Sequence, residues 1–402
     1  MRARRFALVA GGGTGGHLVP ALAVARALGD DVAAGAWGAA PVEMVGSRRG
    51  LDAELLAGEG IPVTLLPGRG LARRWDLRSS LANLVAVLGL AAAVLGALVV
   101  VARRRPAVVV AVGGYACVPT ALAAFVLGVP VVLVNVDAVP GAANRLVGRF
   151  ARAAAVGHGG TGLPREVVTG VPVRPAIAAA AHPDEAARRA ARRALGLPAD
   201  RAVVAVVGGS LGARRLNEAV AELARSWEGR DDVTLYHVVG RRDAARAAVA
   251  AGPWRRGEGG GPEASPGRCL RYVQVPFEQR MALFYQAADV VVARAGANTV
   301  AELAVVGVPA VLVPLPGAPG DHQRANAGVL ERAGGAVVVP DPECDGARLA
   351  RELDALLADR AALDAMRAAA ASAGRPDALD AVTALVRAHA RPGRAAPQTR
   401  AR

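Results

Sequence analysis

The chain has 402 residues, a formal net charge of +14 and a hydrophobic content of 53%, but only 3% of its residues are aromatic. This length accommodates about two domains, and their cores must be built from Ala, Val and Leu. The positive charge indicates an anionic partner or arginine spread over solvated surface. No nucleic-acid-binding motif accompanies it and base-stacking aromatics are scarce, which argues against nucleic acid. Cys117, Cys269 and Cys344 lack C-x-x-C spacing, which is typical of a reducing cytosol and argues against a disulfide scaffold or zinc site.

Short apolar, β-branched runs alternate with helix-patterned segments along the whole chain. In the first half the predicted strands are 6–10, 42–46, 62–66, 107–112, 131–135 and 153–156. In the second half they are 202–207, 233–238, 269–275, 290–293, 310–313 and 336–339. Continuously apolar strands separated by helices predict parallel sheets covered on both faces. Each half has enough strands for a doubly wound α/β domain of its own.

Segment 81–102 carries no charged residue and is followed by Arg103, Arg104 and Arg105. Its length would suffice to span a bilayer, but it lies between two predicted strands of one sheet. Three interpretations stay open: a buried, alanine-rich crossover helix, a helix with one face exposed for docking on a membrane, and a true membrane span.

Three glycine loops, at 11–16, 113–115 and 208–213, each follow a predicted strand. Glycine lets the backbone approach a ligand closely, and a following helix offers its N-terminal N–H groups to an anion. The first loop fits G-x-G-x-x-G, the outline of a dinucleotide-binding fingerprint. The second predicted strand ends without the carboxylate that would bind a ribose. Arg48 there suits an NADP 2′-phosphate, which keeps an NADP-dependent oxidoreductase open as an alternative.

A strand, a glycine turn and a helix are predicted across 289–303. The backbone N–H groups of Ala297, Asn298 and Thr299 would face a phosphate. Glu302 lies about one turn further on, where its carboxylate can accept hydrogen bonds from a ribose diol or cap the helix instead.

A second polar strand-to-helix junction follows downstream. Its side chains would read the hydroxyls of a sugar, or Asp321 would simply cap the helix. The junction contains Asp321, His322, Gln323 and Asn326.

Taken in chain order, these motifs resemble those of the MurG family to about residue 390. The matching stretches are GGTGGH (12–17), GGY (113–115), AVPGAANR (138–145), PVR (172–174), GGSLGA (208–213), ADVVVARAGANTVAE (288–302) and DHQRANA (321–327). The resemblance implies an α/β GT-B glycosyltransferase fold, with two Rossmann-like doubly wound parallel-sheet domains facing a cleft. It implies an acceptor- and membrane-facing domain over 1–164, a UDP-sugar-binding domain over 165–372 and a final helix over 373–390 that packs back on the first domain. We expect residues 391–402 to form a disordered tail.

The activity implied is an inverting, metal-independent transfer of N-acetylglucosamine (GlcNAc) from UDP-GlcNAc. The acceptor would be the 4-hydroxyl of lipid I (undecaprenyl-pyrophosphoryl-MurNAc-pentapeptide), and the product would be lipid II for peptidoglycan synthesis. No cofactor is implied. The implied partners are UDP-GlcNAc, lipid I, the anionic inner leaflet and other cell-wall synthesis proteins, with a peripheral location on the cytoplasmic face of the cell membrane.

Carried over by motif, the family's functional residues fall in both halves of the chain. Donor binding is implied for Thr14, Gly15, Gly16, Asp137, Arg174, Ser210, Glu278, Ala297, Asn298, Thr299, Glu302 and Gln323. Acceptor binding is implied for Gly13, Gly113, Gly114 and Tyr115.

His17 is the candidate catalytic base. Deprotonating the acceptor hydroxyl needs a group that is neutral near pH 7 and within hydrogen-bond reach. The positive end of the helix dipole disfavours the protonated imidazole. The alternative is a structural or acceptor-binding histidine.

The chain departs from the family at Val134-Asn135-Val136-Asp137, where His-Glu-Gln-Asn is usual. Asp137 can accept hydrogen bonds but has lost the amide donors, and it would repel a diphosphate unless it is paired. Two further alternatives therefore stay open. One is a related GT-B transferase with another glycolipid or natural-product acceptor, and the other is a membrane-associated binding protein without activity.

Overall fold

The computed structural model describes residues 5–12, 15–33, 41–47, 60–67, 77–209, 212–244 and 269–392. The chain divides into two compact units. The first comprises Met1–Val136, Pro140–Arg174 and Asp377–Arg402, and the second comprises Asp137–Val139 and Pro175–Pro376. The division after Arg174 lies ten residues beyond the boundary predicted from the sequence.

Strands and helices alternate through most of the chain. The strands are β1 (Ala7–Gly11), β2 (Glu43–Ser47), β3 (Val63–Leu66), β4 (Val108–Gly113), β5 (Val131–Asn135), β6 (Ala153–Val156), β7 (Glu166–Val168), β8 (Ala202–Val207), β9 (Val233–Val238), β10 (Arg271–Val275), β11 (Val290–Ala293), β12 (Ala310–Leu312) and β13 (Ala336–Val338). The α-helices are α1 (Gly15–Ala33), α2 (Leu77–Arg104), α3 (Cys117–Val126), α4 (Ala142–Gly148), α5 (Pro175–Ala178), α6 (Glu185–Ala194), α7 (Arg214–Ser226), α8 (Met281–Ala287), α9 (Ala297–Val306), α10 (His322–Ala333), α11 (Gly346–Ala358), α12 (Arg360–Ser372) and α13 (Ala378–His389).

The sheet of the first unit has the order β3-β2-β1-β4-β5-β6-β7 within the described residues, and its neighbouring strands are parallel. Every residue of β1 and β4 is buried, as expected where helices cover both faces of a parallel sheet. The strand order reverses between β1 and β4. In open α/β sheets, ligands bind in the crevice beyond the carboxyl ends of the strands at such a switch point.

Helix α2 links β3 to β4 and contains the whole of segment 81–102. Its side chains are described from residue 89 onward, and Ala93, Ala97 and Val101 pack into the core of the first unit. Leu95 and Val99, by contrast, are 65% and 46% exposed. The described part of α2 thus combines a buried face with an exposed apolar one. Among the residues placed by the structure, no helix is both long and apolar enough to cross a membrane.

Helix α13 returns to the first unit, where it packs against α1, β5 and β6. Just beyond it, the backbone N–H of Arg391 donates to Ala107 O at 3.0 Å. The rest of the predicted tail, residues 393–402, lies outside the described residues.

The sheet of the second unit has the order β10-β9-β8-β11-β12-β13, again with parallel neighbours among the described strands. Its order reverses between β8 and β11, so a second switch point lies at the carboxyl ends of those two strands. One core cluster joins this sheet to α7 and α11 through residues such as Leu216, Leu223 and Leu349. Two doubly wound α/β units confirm the fold class predicted from the sequence.

The twelve predicted strands are all present within two residues of their predicted ends, but β7 was not predicted. It has only three residues, at the edge of the sheet, and Val167 and Val168 point into solvent. The Glu166 carboxylate accepts from the backbone N–H of Gly160 (2.9 Å) and from the Thr161 hydroxyl (2.7 Å). Because β7 is held by backbone pairing and a polar turn, it has no long apolar run from which a strand could be predicted.

Candidate active site

Two glycine loops meet at the switch point of the first unit. Gly114 has a φ of +78°, and a side-chain carbon there would lie 1.8 Å from the carbonyl oxygen of Gly12. The loops after β1 and β4 therefore pack backbone against backbone, at a separation that only glycine permits.

His17, in the first turn of α1, lies against the second of these loops. A side-chain carbon on Gly113 (φ +122°) would lie 2.4 Å from His17 Cδ2 and 2.9 Å from Nε2. The predicted base thus packs its ring edge on a predicted acceptor-binding glycine. Gly15 and Gly16 begin the same helix, whereas Gly13 and Thr14 lie outside the described residues.

Tyr115 follows the second glycine loop. Its hydroxyl is buried and has no hydrogen-bond partner among the described residues, and burial raises its pKa above the usual value. A phenol that stays protonated is a hydrogen-bond donor and acceptor for a ligand in this crevice.

Asn144, which the sequence reading passed over, is the third residue of α4. It is 4% exposed, and its Nδ2 donates to Oδ1 of the equally buried Asn135 at 2.9 Å. Its own Oδ1 would lie 3.3 Å from a side-chain carbon on Gly113, on the same side as His17. The stretch AVPGAANR contributes to the family resemblance, but nothing in it distinguishes the asparagine as a site residue.

The second unit has a matching glycine loop after β8. Gly209 and Gly212 have φ values of +93° and +82°, and a side-chain carbon on Gly212 would lie 2.7 Å from both Asp243 Oδ2 and Val239 O. Glycine is therefore required there by conformation and by packing. Ser210, the predicted donor-binding residue of this loop, lies outside the described residues.

Helix α9 begins at the adjacent loop after β11. Gly296 is its N-cap and makes no side-chain capping hydrogen bond, and the first turn holds no acidic residue. The first residues are Ala297, Asn298 and Thr299, whose backbone N–H groups have no acceptor within the helix. The helix dipole adds a partial positive charge at the same end, so the predicted anion site has the required backbone geometry.

Glu302 is the sixth residue of α9 and is 6% exposed. It lies too far into the helix to cap it, because a capping carboxylate occupies the third helical position. Its Oε2 accepts from the hydroxyl of buried Tyr285, in α8, at 2.9 Å. The tyrosine lies in an apolar helical run, and no pattern in that run predicts that its hydroxyl orients this carboxylate.

Gln323 and Asn326 lie one turn apart in α10. Gln323 Oε1 accepts from the backbone N–H of Leu315 at 2.9 Å. Asn326 donates to Asp137 Oδ1 at 3.0 Å and to Ala295 O at 3.3 Å, and accepts from Ala138 N at 2.8 Å. One asparagine thus joins the altered Asp137 to the loop that precedes α9, all within the second unit.

The Glu278 carboxylate is already engaged within the protein. It accepts from Tyr236 Oη at 2.6 Å and from Arg280 N and Nε at 2.8 and 3.1 Å. Burial alone would raise the pKa of Glu278, but the hydrogen bonds from Arg280 and Tyr236 outweigh it, and the pKa lies below its usual range. A ligand at this position would contact the backbone, as the family resemblance implies.

Two arginines also bear on the candidate site. Arg174, predicted to pair with a phosphate, is partly buried and belongs to the first unit, at the point where the chain passes into the second. Arg294, which the sequence reading did not assign, pairs with Asp341 at 2.6 Å and donates to Val313 O and Pro314 O at 3.1 and 3.3 Å. Arg294 therefore fixes the loop after β12, beside the segment that Gln323 contacts.

Comparison with known proteins assigns both halves of the chain. Residues 7–156 match the glycosyltransferase family 28 N-terminal domain, and residues 203–382 match the glycosyltransferase family 28 C-terminal domain. Two relatives, from Desulforudis audaxviator and Alkalilimnicola ehrlichii, are named UDP-N-acetylglucosamine–N-acetylmuramyl-(pentapeptide) pyrophosphoryl-undecaprenol N-acetylglucosamine transferase. The first is 37% identical, with 94% of this chain and 97% of the relative covered. The second is 40% identical, with 96% and 99% covered.

The crystal structure of Acinetobacter baumannii MurG superposes with a TM-score of 0.72 at 27% identity, and covers 96% of this chain and 99% of that one. Sequence and fold agree along nearly the whole length. The chain belongs to glycosyltransferase family 28 and, within it, to the MurG family.

Proposed function

We propose that this chain transfers GlcNAc from UDP-GlcNAc to the 4-hydroxyl of lipid I and so makes lipid II, as the names of its relatives state for them. The observation that carries the proposal is the group around the start of α9. The N–H groups at the start of α9, the buried carboxylate of Glu302 and the side chain of Gln323 lie on the helices that follow the neighbouring strands β11 and β12. These three groups would bind, in turn, the diphosphate, the ribose and the sugar of a nucleoside diphosphate sugar.

The donor would bind the second unit. Its diphosphate would accept from the N–H groups of Ala297, Asn298 and Thr299, with Ser210 and Arg174 as further contacts. Glu302, oriented by Tyr285, would accept from the ribose hydroxyls. Gln323 would contact the sugar, while the backbone near Glu278 would read the uracil.

The acceptor would bind the first unit, on the loops of Gly113, Gly114 and Tyr115. His17 would take the proton of the 4-hydroxyl as its oxygen forms a bond to the anomeric carbon. The bond from that carbon to the diphosphate oxygen breaks on the opposite face, which inverts the configuration. Negative charge then develops on the leaving UDP, where fixed N–H dipoles stabilise it.

A transfer assay tests the activity directly. Labelled UDP-GlcNAc and a short-chain lipid I analogue should yield a lipid-linked disaccharide and UDP. Thermal-shift titration distinguishes a UDP-sugar transferase from an NADP-dependent oxidoreductase. UDP and UDP-GlcNAc should raise the melting temperature of a transferase, as ligands of the folded state do. Stabilisation by NADPH alone would instead favour the oxidoreductase.

The first unit is also proposed to dock on the anionic inner leaflet, where the acceptor lipid lies. Leu95 and Val99 form an exposed stripe on α2, and Phe125 and Val126, at the end of α3, are 57% and 70% exposed. Exposed arginines lie at the C-terminal end of α2 and would meet anionic headgroups, each contributing about 1 kcal/mol near such a surface. These arginines are Arg103 and Arg105.

Flotation with liposomes containing phosphatidylglycerol tests docking. L95E and F125E should reduce the bound fraction, and added salt should reduce it further because the charge contribution is screened. V168E is the matched control, since Val168 is 45% exposed on β7, outside α2 and α3. Equal binding by all variants would refute this docking surface.

A second candidate function keeps the fold and changes the acceptor to another glycolipid or natural product. The observation in its favour is the altered stretch 134–137, in which Asp137 is hydrogen-bonded to Asn326. Robust hydrolysis of UDP-GlcNAc without transfer to the lipid I analogue would favour it.

A further inference from the structure

The crevice of the first unit contains a buried hydrogen-bond acceptor with no described donor. Asn144 is 4% exposed, and its Oδ1 has no hydrogen-bond partner among the residues that the structure describes. A buried carbonyl oxygen left without a donor costs roughly 1–3 kcal/mol. Native proteins keep few such atoms, and one at a ligand crevice indicates a partner supplied by the ligand.

A hydrogen bond made by the amide nitrogen of Asn144 fixes the orientation of this oxygen. Asn144 Nδ2 donates to Asn135 Oδ1 at 2.9 Å in a buried contact. That bond directs Oδ1 toward Gly113, where a side-chain carbon would lie 3.3 Å from it and 2.9 Å from His17 Nε2. The amide oxygen and the imidazole nitrogen therefore border the same small space beside a glycine that has no side chain to fill it.

The chemistry of the oxygen limits what can occupy that space. A carbonyl oxygen accepts hydrogen bonds and donates none, so it rejects a phosphate oxygen and selects an O–H or N–H group. A hydroxyl that donates to Asn144 Oδ1 would lie within reach of His17, the group proposed to remove its proton.

We propose that Asn144 binds the acceptor's reacting hydroxyl through Oδ1, and that Asn135 is a positioning residue acting through Asn144. Before transfer the 4-hydroxyl donates its single proton to Asn144 Oδ1, and the O–H then rotates to place that proton on the imidazole nitrogen of His17 as the oxygen attacks; Asn135 holds the Asn144 amide in the orientation this requires. The inference rests on the proposed transferase function and adds to it a contact made by a residue that the motif comparison did not assign.

Binding of a lipid I analogue and of its 4-deoxy counterpart, measured by calorimetry without donor, tests the contact. The wild-type protein should bind the 4-deoxy compound about tenfold more weakly, the factor for one lost hydrogen bond. N144A should bind both compounds alike, and N144D, which retains an acceptor oxygen, should restore part of the discrimination. UDP affinity should stay within twofold of wild type in all variants.

Two controls separate this role from a loss of folding. N135V removes the orienting bond and keeps Asn144, so it should raise the KM for the acceptor several-fold and leave the KM for UDP-GlcNAc unchanged. N217A removes a comparably buried asparagine from the second unit and should keep the wild-type discrimination. If N144A fails to fold, N135V and N144D still give the answer.

Undiminished discrimination in N144A, or in N135V should N144A not fold, would overturn the inference. Absence of GlcNAc transfer by a wild-type protein that binds the acceptor would overturn the proposed function instead. The binding comparison would still report on Asn144 in that case.

Discussion

The side-chain amide of Asn326 donates to Asp137 Oδ1 at 3.0 Å, and its carbonyl oxygen accepts from the neighbouring Ala138 N–H at 2.8 Å. A third bond, to Ala295 O at 3.3 Å, ties the same side chain to the loop before α9. Asp137 stands where the family usually has asparagine, and here its carboxylate is held by a neutral amide. The pairing orients one carboxylate oxygen of Asp137 toward α10.

We therefore expect D137N to bind UDP-GlcNAc about three- to tenfold more tightly than wild type. The asparagine oxygen can still accept from Asn326, while a charge that repels the diphosphate is removed. Isothermal titration calorimetry at low salt measures this. N326A is the companion variant and should weaken binding about tenfold, because it releases both Asp137 and the loop before α9. Weaker binding by D137N would mean that the carboxylate itself contacts the donor.

Glu302 and Tyr285 give the second prediction. E302A should lower UDP affinity by about ten- to a hundredfold, since a buried carboxylate that accepts from two ribose hydroxyls is lost. Y285F should cost less, about three- to tenfold, because it only frees the carboxylate to rotate. Comparing UDP with 2′-deoxy-UDP in thermal-shift titrations identifies the contact. Wild type should favour UDP, and E302A should treat the two alike; equal preference in both proteins would contradict the ribose role.

Most of the fold can be predicted from one sequence pattern, because strands that are buried on both faces consist of unbroken runs of Val, Ala and Leu. The segment 290–293 is typical: four apolar residues, then Arg294 and a glycine, then a helix. Strand β7 breaks the rule, since its pairing depends on backbone atoms at a sheet edge. The glycine loops could also be predicted from the sequence, because a positive φ or a close backbone contact requires glycine whatever the ligand.

The parts of the site that escaped prediction are the residues that orient others. Tyr285 and Arg294 act on groups far away in the chain, since Tyr285 is 17 residues from Glu302 and Arg294 is 19 from Val313. Such pairings form only when strands and helices are brought together, and neither periodicity nor spacing reports them. The predicted roles of Ser210 and Thr14 stay predictions, because both residues lie outside the described chain.

His17 and Gly113 give the third prediction. H17A should lower kcat by about 10²- to 10⁴-fold, the usual contribution of a general base, while UDP affinity stays unchanged. G113A should act similarly, because the new methyl group would overlap the imidazole edge at 2.4 Å and strain a backbone with φ +122°. Steady-state kinetics together with UDP calorimetry checks both. Loss of UDP binding in H17A, or full activity in G113A, would contradict the base role or the packing that supports it.

The last prediction concerns stability and rests on His237, which is buried within the second unit. Its Nδ1 lies 2.9 Å from Tyr272 Oη, and its Nε2 lies 3.0 Å from Asn217 Oδ1. Asn217 already donates through Nδ2 to Val239 O at 3.0 Å, so its oxygen faces the imidazole and Nε2 must be the donor. Nδ1 then accepts from the tyrosine, and the ring is neutral with both nitrogens satisfied.

Burial lowers the pKa of His237 to about 3 in the folded protein, against about 6.5 in the unfolded chain. Below pH 6.5 the unfolded chain therefore binds a proton that the folded protein refuses, and the free energy of unfolding falls with pH. One such group contributes a slope of about 1.4 kcal/mol per pH unit between pH 6.5 and 3. Its stabilisation is complete above pH 6.5 and is lost as the pH decreases.

Urea unfolding between pH 7.5 and 4.5 measures the slope. H237Q should be less stable than wild type at pH 7.5, because the hydrogen bonds to Tyr272 and Asn217 are disturbed, yet it should lose less stability on acidification. H182Q is the matched control, since His182 is exposed, and it should follow the wild-type curve. Parallel curves for wild type and H237Q would show that His237 is not buried as the neutral ring, since only a proton refused by the folded state makes the two diverge.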